Sequence, residues 1–510
     1  MTFGKTILHA LLSLASALTL ATAYPPLGWG NAVWFALVPL IFVFFELRGV
    51  RAMAYGWAAG FCFYLINLWW ISHVTVVGTV ILCAYLALYW GAWAWLTSWI
   101  LERHPFSRSL PNIAVGLVAA AAWVVLEWVR GHLMTGFPWN PLAVALYEKY
   151  SFIQIARLFG TAGISFLVVF VNMILALTFR RFHEEIKVRR LRPHLDFSFA
   201  MLLVALTFAY GIRILLNPPP AGKTVSVAVV QGNIPQYVKW DAARFYHILD
   251  TYHRLTRLAA AMEPDIILWP ESSTPGGFFD QEEIRASVTS LTADSRYTLI
   301  FGTDQEIRGR SHTGAMMIGP GMRWIETYQK MHLVPFGEFA PFSRYVPLMH
   351  WLVGYTRDYE PGDHPAVFTV PGSHLRVAPL ICFEDVFPYL ARQRAANGAE
   401  LLVNLTNDAW FLQSVGPRQH LANAVFRAIE TGRPLIRSAN TGWSALVDST
   451  GRVREEMTPF VEGFALMKVG LPAVPASTFY SRHGDVFVLF CALILLCGVL
   501  RKHYGRPDPL

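Results

Sequence analysis

Eight apolar runs, each long enough to cross a bilayer as a helix, dominate this chain. Seven fill its first 216 residues, at about 6–23, 31–47, 54–72, 76–100, 111–130, 160–179 and 197–216, and the eighth lies at 484–500. A hydrocarbon layer roughly 30 Å thick needs about 20 such residues per crossing. Backbone polar groups in that layer must be satisfied inside the protein, so runs of this kind imply a helical bundle. The composition agrees, with 54% hydrophobic and only 15% charged residues and a mean hydropathy of +0.38. The net charge of +8 gives no reason to expect a nucleic-acid partner, because most of the basic excess sits in short loops between apolar runs.

Those basic residues predict an orientation. Lys5, Arg48, Arg51, Arg103, Arg108, the cluster from Arg180 to Arg192, and the tail Arg501, Lys502 and Arg506 all fall on one side of an eight-helix arrangement, while the loops at 24–30 and 73–75 carry no lysine or arginine. The longer 131–159 loop carries Lys149 and Arg157. The positive-inside rule then puts both termini in the cytoplasm and the long region between the seventh and eighth runs outside. The first run, with Lys5 before it and Ala21-Thr22-Ala23 at its end, also fits a cleaved signal peptide, which leaves the downstream topology unchanged. Within the membrane, Glu127 and Arg130 stand three residues apart on one predicted helix and are expected to pair.

The expected organisation is a transmembrane bundle over 1–216, an extracytoplasmic domain over 221–480 and a final transmembrane helix at 484–500. The domain begins after Asn217-Pro218-Pro219-Pro220. It alternates short apolar runs (Val225 to Val230, Ile266 to Trp269, Leu299 to Gly302, Leu401 to Leu405, Ala445 to Val447, Phe464 to Val469) with helical stretches. In 241–262, Phe245, Ile248, Leu249, Tyr252 and Leu255 recur at helical spacing. Strands alternating with helices predict a layered α/β domain.

Cys382 is the only cysteine of that domain; Cys62, Cys83, Cys491 and Cys497 all lie in apolar runs. A thiol with no soluble partner for a disulfide calls for another explanation, and its position between the apolar run ending at Ile381 and a helix-like stretch, Asp385 to Asn397, suits a nucleophile on a strand-to-helix turn. Two other stretches have the same form, an apolar strand running into a reactive side chain: Ile266 to Glu271, and Tyr328 to Glu338, which contains Lys330. A thiol with a pKa near about 8.5 needs a base, and Glu271 is the candidate. Attack on an ester makes an oxyanion; Lys330 and the backbone N–H of Phe383 are the candidate stabilisers, and Lys330 is expected to lower the thiol pKa. Glu338 is expected to orient Lys330 or share the proton work, and Glu384 to brace the turn.

The words Trp269-Pro270-Glu271, Lys330-Met331-His332-Leu333-Val334-Pro335-Phe336-Gly337-Glu338 and Cys382-Phe383-Glu384 resemble the nitrilase (carbon–nitrogen hydrolase) superfamily. Val230 to Gln236, Lys239-Trp240-Asp241, Asn407 to Phe411, Arg130-Gly131 and Thr135 to Trp139 extend the likeness over nearly the whole chain, which resembles the membrane-embedded apolipoprotein N-acyltransferase family. The resemblance implies an α-β-β-α sandwich for the outer domain. It also implies acyl transfer from a phospholipid, phosphatidylethanolamine, to the N-terminal amine of diacylglyceryl-cysteine on apolipoproteins, with Glu271, Lys330 and Cys382 catalytic, at the bacterial inner membrane. Phe383 departs from the tyrosine that family members often carry, which keeps the ring and the backbone donor but removes a hydroxyl.

No metal or organic cofactor is expected, since a thioester on Cys382 supplies the driving force for amide formation, and a monomer is expected. The segment between Phe336 and Tyr359, rich in Phe, Tyr, Trp and Leu, is expected to dip into the membrane interface and admit a lipid chain. Trp240, Trp410 and Trp139 are candidate acyl-chain contacts. Two other readings stand beside this one: a membrane-anchored amidase or thioesterase in which water replaces the amine, and a transporter or receptor whose outer domain binds without catalysis.

Overall fold

The computed structural model describes residues 3–102, 104–189, 192–239, 241–341, 359–474 and 477–504. It divides into two compact units, Met1–Asn217 with His483–Leu510, and Pro218–Arg482.

Among the described residues of the first unit, six helices are long and apolar enough to cross a membrane: Phe3–Thr22, Val76–Ile100, Ser109–Arg130, Ala156–Lys187, Leu195–Leu216 and Val486–His503. The other two predicted spans differ from expectation. The run at 54–72 folds as the helix Gly49–Asn67, shifted toward the N-terminus so that it takes in polar Arg51 and falls short of the apolarity of the other six. The run at 31–47 is not one helix. It forms a tight turn of 3-10 helix, Gly30–Trp34, and then the nine-residue helix Val38–Glu46, with Pro39 in its first turn. Such a break frees backbone groups that apolar surroundings cannot satisfy, and neighbouring helices take them up. Asn172 accepts from the Leu37 N–H at 2.9 Å and donates to the Val33 carbonyl at 2.9 Å, while Ser16 accepts from the Leu40 N–H at 2.8 Å.

Gly49–Asn67 and Val76–Ile100 pack closely through small residues. A Cβ on Gly56 would come within 2.3 Å of the Ala94 Cβ, and one on Gly60 within 2.7 Å of the Trp90 ring, so larger side chains would force the helices apart. Ion pairs gather at one set of helix ends: Lys5 with Glu46 at 3.1 Å, Arg181 with Glu185 at 2.7 Å and with Asp196 at 3.6 Å. The expected Glu127–Arg130 pair does not form among the described residues. Arg130 donates instead to the Tyr64 hydroxyl at 2.5 Å, and Glu127 accepts from the Leu142 N–H at 3.1 Å and the Trp123 indole at 3.3 Å.

The described residues of the second unit form two six-stranded sheets. The strands are β1 (Ala221–Gln231), β2 (Ile266–Leu268), β3 (Thr298–Ile307), β4 (Arg310–Ile318), β5 (Ile325–Gln329), β6 (Phe368–Thr369), β7 (Arg376–Ile381), β8 (Leu401–Thr406), β9 (Leu435–Ala439), β10 (Ala445–Val447), β11 (Val453–Glu456) and β12 (Gly463–Pro472). One sheet runs β12-β1-β2-β3-β4-β5 and the other β11-β10-β9-β8-β7-β6, with β1, β2 and β3 parallel in the first and β7, β8 and β9 parallel in the second.

Period-two alternation explains the layering. Val225, Val227 and Val229 face the second sheet, in one core with Val377, Ile381, Leu401, Val403 and Ile436. Ala228 and Val230 face the other way, in a core with Ile248, Tyr252 and Leu255 of the helix Phe245–Ala260 and Ile284 and Val288 of the helix Glu282–Thr292. Strands covered on both faces read as unbroken apolar runs, which is the pattern of the sequence. Helices Pro388–Ala396 and Gly416–Thr431 pack against β7 and β9.

Candidate active site

The parallel strands of both sheets end in one place, and their first loop residues carry the chemistry. Past β2, Trp269-Pro270-Glu271 turns sharply over β3. A Cβ on Gly302 would lie 2.6 Å from the Glu271 Cα and the Pro270 carbonyl, so only glycine lets this turn sit so close. Past β7, Cys382 takes a left-handed backbone (φ 50°) at the start of a short 3-10 turn, Cys382–Val386, between strand and helix as expected, while the regular helix begins at Pro388 rather than at Asp385. For a residue with a side chain that conformation is strained, and strain of this sort concentrates at functional sites.

Lys330, just past β5, is buried and bridges two carboxylates, Glu271 Oε1 at 3.2 Å and Glu338 Oε1 at 2.5 Å. Both acids are oriented from their other oxygens. The Asn407 N–H donates to Glu271 Oε2 at 3.0 Å, and the Val334 N–H to Glu338 Oε2 at 2.8 Å. The structure thus brings Glu271, Lys330 and Glu338 into hydrogen-bonding contact. Glu384 lies beneath the turn, fully buried, with Oε2 accepting from the Ile381 N–H at 2.8 Å and Oε1 from the Met331 N–H at 2.8 Å and the Tyr328 hydroxyl at 2.6 Å. Phe383 is buried against Phe387, their rings 5.0 Å apart.

Burial and Lys330 act on the thiol in opposite directions. Cys382 is a free thiol, and burial, with the Glu271 charge adding to it, pushes its pKa well above the ordinary thiol value; Lys330 pulls the other way without prevailing. Burial opposes the charge on Lys330, but Glu271 and Glu338 outweigh it and hold the ammonium protonated; burial, assisted by Glu271, raises Glu338.

Trp410 is partly exposed on the short helix Asp408–Phe411, which follows Asn407. Trp139 belongs to the helical unit, buried against Trp70. Trp240 and the aromatic segment 342–358, with Phe342, Tyr345, Trp351 and Tyr355, lie outside the described residues.

Sequence reasoning assigned no role to several residues that the fold brings here. Lys239 is buried and donates to the Glu271 carbonyl at 3.0 Å; burial lowers its pKa to about 8 against the pull of Glu271 and Asp304. Asn404, His420 and Arg437 surround the far side of the Cys382 turn. The signal for Asn407 was present, since Leu401 to Thr406 is, like the strands before Glu271 and Cys382, a buried and largely apolar strand running into polar residues.

Residues 16–174 match the model of the apolipoprotein N-acyltransferase N-terminal domain, and residues 226–476 match that of the carbon–nitrogen hydrolases. An apolipoprotein N-acyltransferase of Geobacter metallireducens is 34% identical, across 94% of this chain and 92% of its own length. The chain belongs to the apolipoprotein N-acyltransferase family. It is an acyltransferase and a bacterial membrane protein. The enzyme of the same description from Allorhizobium ampelinum is 31% identical over 97% of this chain and 96% of its own. An amidase of known structure from Nesterenkonia is 19% identical over 54% of this chain and 98% of its own, with a TM-score of 0.39.

Proposed function

We propose that this enzyme transfers an acyl chain from a phospholipid, phosphatidylethanolamine, to the N-terminal amine of diacylglyceryl-cysteine on apolipoproteins, through a thioester on Cys382. The observation that carries the proposal is the buried Glu271–Lys330–Glu338 cluster opposite a cysteine held on a strained turn. Because the resting thiol is protonated, its proton passes to Glu271 as Sγ attacks the ester carbonyl. Lys330 and the Phe383 N–H receive the oxyanion. The carbon–oxygen bond then breaks, and Glu271 returns the proton to the departing lysophospholipid oxygen. The acceptor amine next attacks the thioester, its proton goes to Glu271, and the carbon–sulfur bond breaks. The thiolate takes the proton back, and an amide is released.

The proposed topology has eight crossings, both termini in the cytoplasm and the catalytic domain, 221–480, in the periplasm. The Lys5–Glu46 pair sets the start of Phe3–Thr22 beside the end of the broken segment Gly30–Glu46, which supports an antiparallel arrangement of the first two apolar runs. The proposed domains are accordingly 1–216, 221–480 and the final span at 484–500.

Incubating the purified enzyme with acyl-labelled phosphatidylethanolamine and a diacylated lipopeptide tests the reaction. The expected product is N-acylated peptide in amounts matching lysophospholipid. Labelled free fatty acid without acylated peptide would make the enzyme a hydrolase.

A further inference from the structure

The N–H of Phe383 and the carbonyl of Cys382 belong to one peptide group, and that carbonyl is gripped from behind. Asn404 donates to it through Nδ2 at 3.0 Å, and His420 approaches it through Nε2 at 3.3 Å. Nε2 of His420 also lies 2.9 Å from Asp385 Oδ1, so it faces two acceptors and carries its proton whether the ring is neutral or charged. The other ring nitrogen sits between Asp408 Oδ1 at 2.9 Å and Arg437 Nη2 at 2.7 Å. Arg437 closes the network with bonds to Asp385 Oδ2 at 2.6 Å, Asp408 Oδ2 at 3.0 Å and Asn404 Oδ1 at 3.0 Å. All five side chains are buried.

Placing four ionisable groups and an amide inside a domain is costly, and well-packed apolar side chains of similar volume often stabilise as well or better. The acyl-transfer steps proposed above use none of them. Two of the five converge on one backbone atom, the Cys382 oxygen. Hydrogen bonds accepted by a peptide carbonyl draw electron density toward the oxygen and leave the N–H of the same group a stronger donor.

We infer that Asn404 and His420 polarise the Cys382–Phe383 peptide and so strengthen the Phe383 N–H as an oxyanion donor. The inference rests on the role given to Phe383 under the proposed function. Neither residue touches the acyl group or the thiol, so both are positioning residues, and Asp385, Asp408 and Arg437 hold His420 in place.

The test reads the acyl carbonyl itself. Full-length enzyme in detergent is loaded with phosphatidylethanolamine carrying ¹³C at the ester carbonyl, without acceptor, and the thioester band is located by difference infrared spectroscopy. The wild-type band is expected at lower frequency than that of the same acyl thioester of a small thiol in the same detergent. His420→Leu is expected to move the band back toward the free position and slow acylation roughly 10-fold with KM unchanged. His420→Gln, whose amide N–H replaces Nε2–H, is expected to stay near wild type in both. An unmoved band in folded His420→Leu and Asn404→Leu would overturn the inference, because a merely structural role leaves it in place. A wild-type band at the free position would overturn it without any variant, so misfolding of the leucine variants does not shield it. Absence of an acyl adduct on wild type, seen by mass, would overturn the proposed function and the inference with it.

Discussion

Two buried groups of charged side chains flank the Cys382 turn. Glu271, Lys330 and Glu338 set two carboxylates against one ammonium. Asp385, Asp408, His420 and Arg437 set two carboxylates against a guanidinium and an imidazole whose pKa rises, since Asp385 and Asp408 outweigh burial and Arg437. In the second group the ionisation of an acid is secured by two bases: burial alone would raise Asp408, but Arg437 and His420 bring it down to about 2. In the first it is not. Glu338 shares one cation with Glu271 and is raised by burial. A site in which two carboxylates share one ammonium is where a proton can change hands, and a site in which Asp385 and Asp408 are each bonded to both Arg437 and His420 is where a backbone can be held still.

Exchanging charge for shape should therefore have opposite consequences in the two groups. Glu271→Gln keeps the shape and removes the base; acylation by phospholipid, followed by quenched-reaction mass spectrometry, should slow by roughly 10³- to 10⁴-fold while thermal stability holds or rises. Equal losses of both would merge the two groups into one. Arg437→Met should do the reverse, lowering unfolding stability by about 3–5 kcal/mol because Asp385 and Asp408 lose their guanidinium in the interior; denaturation in detergent measures it. Lys330→Met should lower the acylation rate constant roughly 10²-fold, by loss of one oxyanion donor, with a smaller effect on donor binding; single-turnover kinetics separate the two.

The smallest expected effect is on pH dependence. Lys239 has a folded-state pKa near 8 against about 10.4 for an unfolded lysine. Between those values the unfolded chain holds a proton that the folded one has released, so stability rises with pH through that window and levels off above it. The slope is at most about 1.4 kcal/mol per pH unit. Lys239→Met should remove it, as read from melting temperatures of both proteins between pH 8 and 10.

Much of the fold was legible because burial leaves a direct trace in sequence. Val225 to Val230 reads as an unbroken apolar run because both its faces are covered. The break at Phe35–Leu37 left no such trace, because the groups that compensate for it, Ser16 and Asn172, lie in other helices. In the candidate site, residues at the ends of apolar strands stood out, Glu271 after β2 and Cys382 after β7, whereas Lys330 follows β5, Ile325–Gln329, which is mostly polar, and stood out by the words around it. His420 and Arg437 did not, since one lies within a helix buried on all sides and the other within a central strand, and their meeting beneath Cys382 depends on the sheet register. The pull of Lys330 on the thiol was legible, but the burial that overrides it is a property of the folded site.

The most direct measurement is the intact mass of the purified enzyme after exposure to phospholipid alone, with peptide mapping of the product. The account predicts a mass increase of one acyl chain, located on Cys382, absent from Cys382→Ala and discharged by added diacylated lipopeptide. An unmodified Cys382 under conditions in which the same preparation N-acylates lipopeptide would contradict it.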